Sequence, residues 1–167
     1  STNFPHIAGD GLGIAMKHQV VLEHLDYIQI HPTTLYSHKP GRRFLISESV
    51  RGEGALLYDR NGQRFTDELQ PRDLLSQKIF GQMEKDETEF VWEDMRPLGE
   101  DTIMKHFPNI FRRCLEEGFD PCKEPIPVVP AQHYFMGGIK VDLGSRTSMK
   151  GLYACGETSC NGVHGKN

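Results

Sequence analysis

Between Gly11 and Leu22 the apolar residues fall at helical spacing, Leu12, Met16 and Val20 four apart with Ala15 beside them, and predict an amphipathic helix. Tyr27 to Ile30 is a short apolar run that predicts a strand; it delivers His31 at its end, where Pro32 stops it. Phe44 to Glu48 and Ala55 to Tyr58 predict strands, and Arg60-Asn61-Gly62-Gln63 predicts a hairpin turn with positive φ angles at Asn61 and Gly62. Pro71 suits the first turn of a helix, and Leu74, Leu75, Ile79 and Met83 repeat behind it. Glu89 to Trp92 predicts a further strand. Ile103 to Glu117 reads as helical on both sides of Pro108, which breaks or kinks it, with Gly118 as a C-terminal cap. Ile139 to Val141 and Leu152 to Cys155 complete the strands. Strands and helices without regular alternation imply an α+β fold.

Composition narrows the picture only a little. At 167 residues, one domain or a domain with appendages is expected, and 37% hydrophobic residues can bury one core. A formal charge of -4 speaks against nucleic acid, which calls for a basic face. No apolar run approaches the roughly 18 residues of a membrane span, so a cytoplasmic protein without a membrane partner is expected. Cys114, Cys122, Cys155 and Cys160 form no C-x-x-C pair and are expected as ordinary buried or half-exposed thiols, with no metal site.

The chemistry lies in motifs. Gln132-His133-Tyr134-Phe135-Met136-Gly137-Gly138 is followed by Gly151-Leu152-Tyr153-Ala154-Cys155-Gly156-Glu157 and by Val163-His164-Gly165-Lys166-Asn167. Upstream stand His31-Pro32-Thr33-Thr34, Ser47-Glu48-Ser49-Val50-Arg51-Gly52-Glu53-Gly54 and Pro71-Arg72-Asp73. Over nearly the whole chain these resemble the fumarate reductase, succinate dehydrogenase and L-aspartate oxidase family of flavoproteins. Pro127-Val128-Val129-Pro130-Ala131-Gln132-His133-Tyr134 and the compact Gly144-Ser145-Arg146-Thr147-Ser148 pull the match toward its L-aspartate oxidase branch.

That resemblance implies an FAD-dependent oxidation of L-aspartate to iminoaspartate, with oxygen or fumarate as acceptor, in the synthesis of quinolinate and NAD. The implied partners are a small dicarboxylate (L-aspartate or fumarate), the rest of the same enzyme chain, and quinolinate synthase. It also implies an α+β substrate-capping domain over residues 25–136, with 1–24 and 137–167 as flanks from the FAD-binding domain. Two family features lie outside the chain. Gly9-Asp10-Gly11-Leu12-Gly13 has the wrong spacing for a dinucleotide fingerprint and no strand before it, and the arginine that follows the family's His-Gly-x-Asn is not included. The 167 residues alone are therefore expected to bind no FAD and to be inactive.

Residue by residue, the resemblance puts Arg72 at the substrate, where a planar fork matches a carboxylate. A surface arginine paired with a neighbouring acid is the alternative. Glu48 and Arg51 are implied as the proton route and scaffold behind it, or else form a local pair three residues apart. His31 and His133 are implied at substrate carboxylates, against the reading of both as structural histidines, and His164 is implied as a substrate histidine or a positioning residue. Ser47, in place of the family's threonine, keeps a hydroxyl for the substrate; Thr34 or Thr33 adds another, or else caps the strand. Glu157 is implied on the ribityl hydroxyls of the flavin, and Gly9, Asp10 and Gly11 open a helix of the flavin domain. A fumarate reductase or succinate dehydrogenase flavoprotein subunit shares every one of these cationic positions. A dicarboxylate-binding module without catalysis is the reading from a different class.

Overall fold

The computed structural model describes residues 1–167, and they separate into two compact units. One comprises Asn3–Ile30 and Gln132–Asn167 with Ser1; the other comprises His31–Ala131 with Thr2. The whole is a mixed α/β structure.

The His31–Ala131 unit holds the larger core. Its sheet has the order β3-β2-β6-β5-β4, built from β2 (Ile28–Leu35), β3 (Phe44–Leu45), β4 (Leu56–Tyr58), β5 (Val91–Asp94) and β6 (Ile126–Phe135), where β2 and β6 carry the chain from one unit into the other. Leu35, Ile46, Leu57, Val91, Ile126 and Val128 are buried from the sheet side. Against them pack Val50 of α2 (Glu48–Gly52), Leu75 and Ile79 of α3 (Arg72–Asp86), Ile103 of α4 (Glu100–His106), and Ile110 and Cys114 of α5 (Pro108–Glu116). Pro108 is the first residue of α5, where its missing N–H costs nothing, and Gly118 follows the helix with φ 93°.

Several expectations are corrected. Pro32 does not end β2: β3 pairs only with Thr34 and Leu35, so no ladder bond to β3 is needed at a residue lacking an N–H. The strand expected from Phe44 to Glu48 shrinks to Phe44–Leu45, because Ser47 caps a helix beginning at Glu48. Only Gly62 (φ 75°) takes a positive angle in the 60–63 turn; the Asp59 carboxylate accepts from the amides of Asn61 and Gln63 and holds Asn61 on the right-handed side. In α3, Leu74 faces outward and the buried stripe is Leu75, Ser76, Ile79, Gln82 and Asp86. The ten-residue β6 was not expected as a strand, because Pro127 and Pro130 interrupt its pattern.

The other unit is smaller. Helix α1 (Asp10–Lys17) is shorter than the expected Gly11 to Leu22, and Ala15 packs with Val20, Ile139 and Ala154. Its sheet has the order β1-β7-β8, from β1 (Leu22–Glu23), β7 (Gly138–Lys140) and β8 (Ser159–Cys160). Residues 152 to 155 are not a strand; Tyr153 makes a single bridge to Arg146, and the strand beside β7 begins after a 3-10 turn at Gly156–Thr158. Cys155 is exposed, beyond the buried or half-exposed thiol expected.

One backbone approach governs this unit. A Cβ on Gly137 would lie 1.9 Å from the carbonyl oxygen of His24, and one on Gly138 2.4 Å from that of Thr158. Backbone cannot yield as a flexible side chain does, so Gly137→Ala should cost at least the roughly 1–3 kcal/mol of an overpacked core. Limited proteolysis should then cut within this unit first, and an unchanged cleavage pattern and melting midpoint would contradict the close approach.

Candidate functional site

The cationic residues of the His31–Ala131 unit are set by two helix starts. Ser47 is the N-cap of α2, its hydroxyl accepting from the Ser49 amide at 3.3 Å, which places Glu48 in the first turn and Arg51 one turn on. Pro71 precedes α3 with ψ 145°, and Arg72 is its first helical residue. The two starts meet: Arg72 Nε donates to Glu48 Oε2 at 2.7 Å, a pair 31% and 52% exposed in its side chains. The local Glu48–Arg51 pair is not what forms. At this partial exposure the bond contributes little stability, about 0–1 kcal/mol, but it fixes one edge of the guanidinium and orients the other.

Arg51 is buried at 3% exposure, and its Nη1 donates to the Glu68 carbonyl at 2.6 Å. Burial lowers its pKa, while Glu93, Glu48 and Glu68 oppose that shift and Arg72 adds to it. Glu68 ties this region together. Its carboxylate accepts from the Leu57 amide at 2.9 Å and from Arg64 at 3.1 and 2.6 Å. Glu93 of β5 is wholly buried, with its pKa raised to about 8 by burial and by Glu68 against the opposing charge of Arg51. Neither Glu68 nor Glu93 was among the expected site residues. For Glu93 a signal existed: in Val91-Trp92-Glu93-Asp94 strand alternation places it on the same face as Val91, and both are buried.

His31 is 1% exposed, with Nδ1 3.2 Å from the Thr33 amide nitrogen and 3.0 Å from the Thr33 carbonyl oxygen. A single ring nitrogen serves only one of those partners at a time, and which one depends on the tautomer. Thr34 is corrected. It is fully buried and its hydroxyl donates to the Val129 carbonyl at 2.6 Å, which uses the one proton a carboxylate would need. Thr33 likewise donates to the Ile46 carbonyl at 3.3 Å. Ser47 accepts from the Ser49 amide as a helix cap and donates its proton to Ser49 Oγ at 3.3 Å.

In the other unit, Gly9 (φ 79°) is the N-cap of α1, Asp10 its first residue and Gly11 its second. Gly9 and Glu157 come together in a pocket of about 290 Å³ that Asn3, Ile7, Leu12, Phe135 and Thr158 complete. Glu157 Oε1 accepts from the Phe135 amide at 2.9 Å, which aims the carboxylate and leaves its second oxygen to accept from a ligand. Asp10 is exposed and outside that lining. His133 sits on β6, its carbonyl accepting from Asn3 Nδ2 at 3.3 Å, and His164 packs its ring 4.7 Å from that of Tyr134. The Lys166 ammonium lies 5.5 Å from the centre of the Tyr27 ring, a cation–π distance. No group of three or more His, Cys, Asp or Glu residues could hold a metal ion, and no helix is long and apolar enough to cross a membrane.

A family model described as "FAD binding domain" matches residues 1–167. The chain belongs to this FAD-binding family. Within it, the chain is 56% identical over 168 residues to L-aspartate oxidase of Clostridium perfringens, covering 100% of this chain and 38% of that protein. It is 48% identical over 178 residues to L-aspartate oxidase of a Nostoc strain, covering 100% of this chain and 30% of that protein. Among solved structures it is similar to a variant of the E. coli quinol fumarate reductase FrdA, with a TM-score of 0.85 and 37% identity over 99% of this chain and 32% of that one. The chain thus spans about 38% of the length of the first of these relatives.

The residues present suit part of an FAD site. A carboxylate (Glu157), a hydroxyl (Thr158) and an amide (Asn3) face Ile7, Leu12 and Phe135 across the 290 Å³ pocket, a donor and acceptor set for a polyhydroxyl chain beside an apolar wall. Glu157 and Asn3 supply the polar side of that lining, with Gly9 beside them.

Proposed function

We propose that this chain is the substrate-capping portion, with flanks from the FAD-binding domain, of an L-aspartate oxidase. The observation that carries the reading is 56% identity across the entire chain to an enzyme of that name, against 37% to the fumarate reductase of similar fold. The cap is assigned to residues 25–136, which enclose a unit, His31–Ala131, with a hydrophobic core of its own.

The substrate is a dicarboxylate, and this chain's own side chains act on it by charge and orientation. Arg72 receives a carboxylate on the end of its fork, while Glu48 at 2.7 Å fixes the Nε edge so that the group is aimed before substrate arrives. His31 adds a ring donor through Nε2, and the family resemblance assigns His133 and His164 as further donors. Ser47 adds a hydroxyl, which turns from Ser49 Oγ to the carboxylate. Arg51, buried at 3% exposure, supplies a positive charge that interacts with both Glu48 and Arg72. FAD, when bound, supplies the acceptor for the hydride leaving Cα of aspartate. Iminoaspartate is the product, and quinolinate synthase is the consumer its chemistry calls for.

A substrate panel on the complete protein tests this. L-aspartate should drive oxygen uptake with peroxide formation, and fumarate should replace oxygen under anaerobic conditions. Dye-linked oxidation of succinate without aspartate turnover would instead support the dehydrogenase reading.

A further inference from the structure

Glu93 has no role in the site described so far, yet its charge interacts with that of Arg51. Its two carboxylate oxygens have no hydrogen-bond partner although the residue is fully buried, and Arg51 Nε and Nη2, also buried, have none either. Arg51 is the strongest charged influence on Glu93, and Glu93 the strongest on Arg51. Two unsatisfied acceptors and two unsatisfied donors on one guanidinium edge, which interact by charge without bonding, are a poor stability device, since a buried polar group without a partner is a net cost. We propose that Glu93 is a positioning residue that sets the net charge of the Arg51–Glu48–Arg72 cluster and thereby the affinity of the site for dianionic ligands. This rests on the reading of Arg72 as a dicarboxylate contact.

Three titratable or charged groups interact with Glu93, while its strand neighbours Leu57 and Ile126 carry none. Arg51 lies on α2, Glu68 precedes α3, and Cys114 on α5 has its thiol pushed up to about 12 by burial and by Glu93. Glu68 is in turn neutralised by Arg64 at 2.6 Å. Three guanidinium groups, Arg51, Arg64 and Arg72, therefore face the carboxylates of Glu48 and Glu68. The cluster carries one net positive charge while Glu93 is protonated and none once it ionises. With the Glu93 pKa raised to about 8, the protonated form prevails at neutral pH and is lost as pH rises through that value. An anion is held tightly below the transition and less tightly above it.

Fumarate is the probe, because its carboxyls do not titrate in this range and it is not reduced by the oxidised flavoprotein. Its dissociation constant, read from the perturbed flavin spectrum of the complete enzyme, should rise roughly tenfold between pH 6.5 and 9.5, the scale of a unit charge at moderate dielectric. Glu93→Gln, which mimics the protonated acid, should stay flat within about twofold and bind tightly throughout. A flat wild-type profile, or a step that persists in Glu93→Gln, overturns the proposal while leaving the dicarboxylate site intact. No fumarate binding at any pH overturns both. Should Glu93→Gln fail to fold, infrared spectroscopy of the wild type decides: a protonated-carboxyl band lost near pH 8 in step with affinity supports the proposal, and no titrating carboxyl overturns it.

Discussion

Arg72→Leu in the complete enzyme should fold, retain its flavin, and turn over aspartate roughly a hundred- to thousandfold more slowly. A preorganised donor facing developing charge in a cleft with little water contributes on the order of 3–4 kcal/mol to the barrier. Stability should barely change, because the Arg72–Glu48 pair is 31% and 52% exposed and such pairs contribute about 0–1 kcal/mol. Arg72→Lys should rescue only part of the loss, since a point charge cannot give Glu48 and a carboxylate the two edges of one fork. Steady-state kinetics with flavin content measured first separates lost chemistry from lost folding. Turnover within about threefold of the parent, under 1 kcal/mol in the barrier, would make Arg72 a structural arginine and remove the centre of the site.

Arg51→Met should separate stability from function more sharply still. Arg51 is buried with only Nη1 engaged, while Nε and Nη2 lack partners, so the guanidinium's desolvation is poorly offset. Replacing it with an apolar side chain of similar length relieves that desolvation cost, and Glu93, held neutral at pH 7 by its burial, needs no counter-ion. The urea midpoint should therefore hold or rise. Turnover should fall by roughly a hundredfold or more, the scale of a lost preorganised charge, because Glu48 loses the cation behind it and its hold on Arg72 weakens. A large loss of stability with proportionate loss of flavin would show instead that Arg51 is structural. Residues that cost stability and sit beside a cleft are where function is expected to have been favoured over packing.

The sequence made much of this legible where local rules and tertiary context agree. Pro108 at a helix start, Gly118 after a helix end and the α3 stripe through Leu75 and Ile79 follow from backbone constraints and periodicity alone. Strand β6 was hidden for the opposite reason: Pro127 and Pro130 read as breakers, and only a sheet that places them opposite compatible neighbours, such as Pro127 facing Trp92, reveals a strand. Thr34 shows a limit of motif reasoning. Its hydroxyl type suits a carboxylate, but burial and the Val129 carbonyl consume the proton, which spacing cannot disclose. Arg72 and Glu48 are 24 residues apart, so neither periodicity nor local pairing could join them; the meeting of two helix starts does. Glu93 was readable by alternation as inward-facing, but its relation to Arg51 needs the fold.

Anaerobic reduction of the flavin in the complete enzyme, with L-aspartate and succinate compared at equal concentration, tests the central claim most directly. L-aspartate should bleach the flavin quickly and succinate should leave it largely oxidised, because an amino group must be placed and deprotonated before hydride leaves Cα. Equal bleaching rates, or bleaching by succinate alone, would contradict the assignment and point to a dicarboxylate dehydrogenase built on the same cationic cluster.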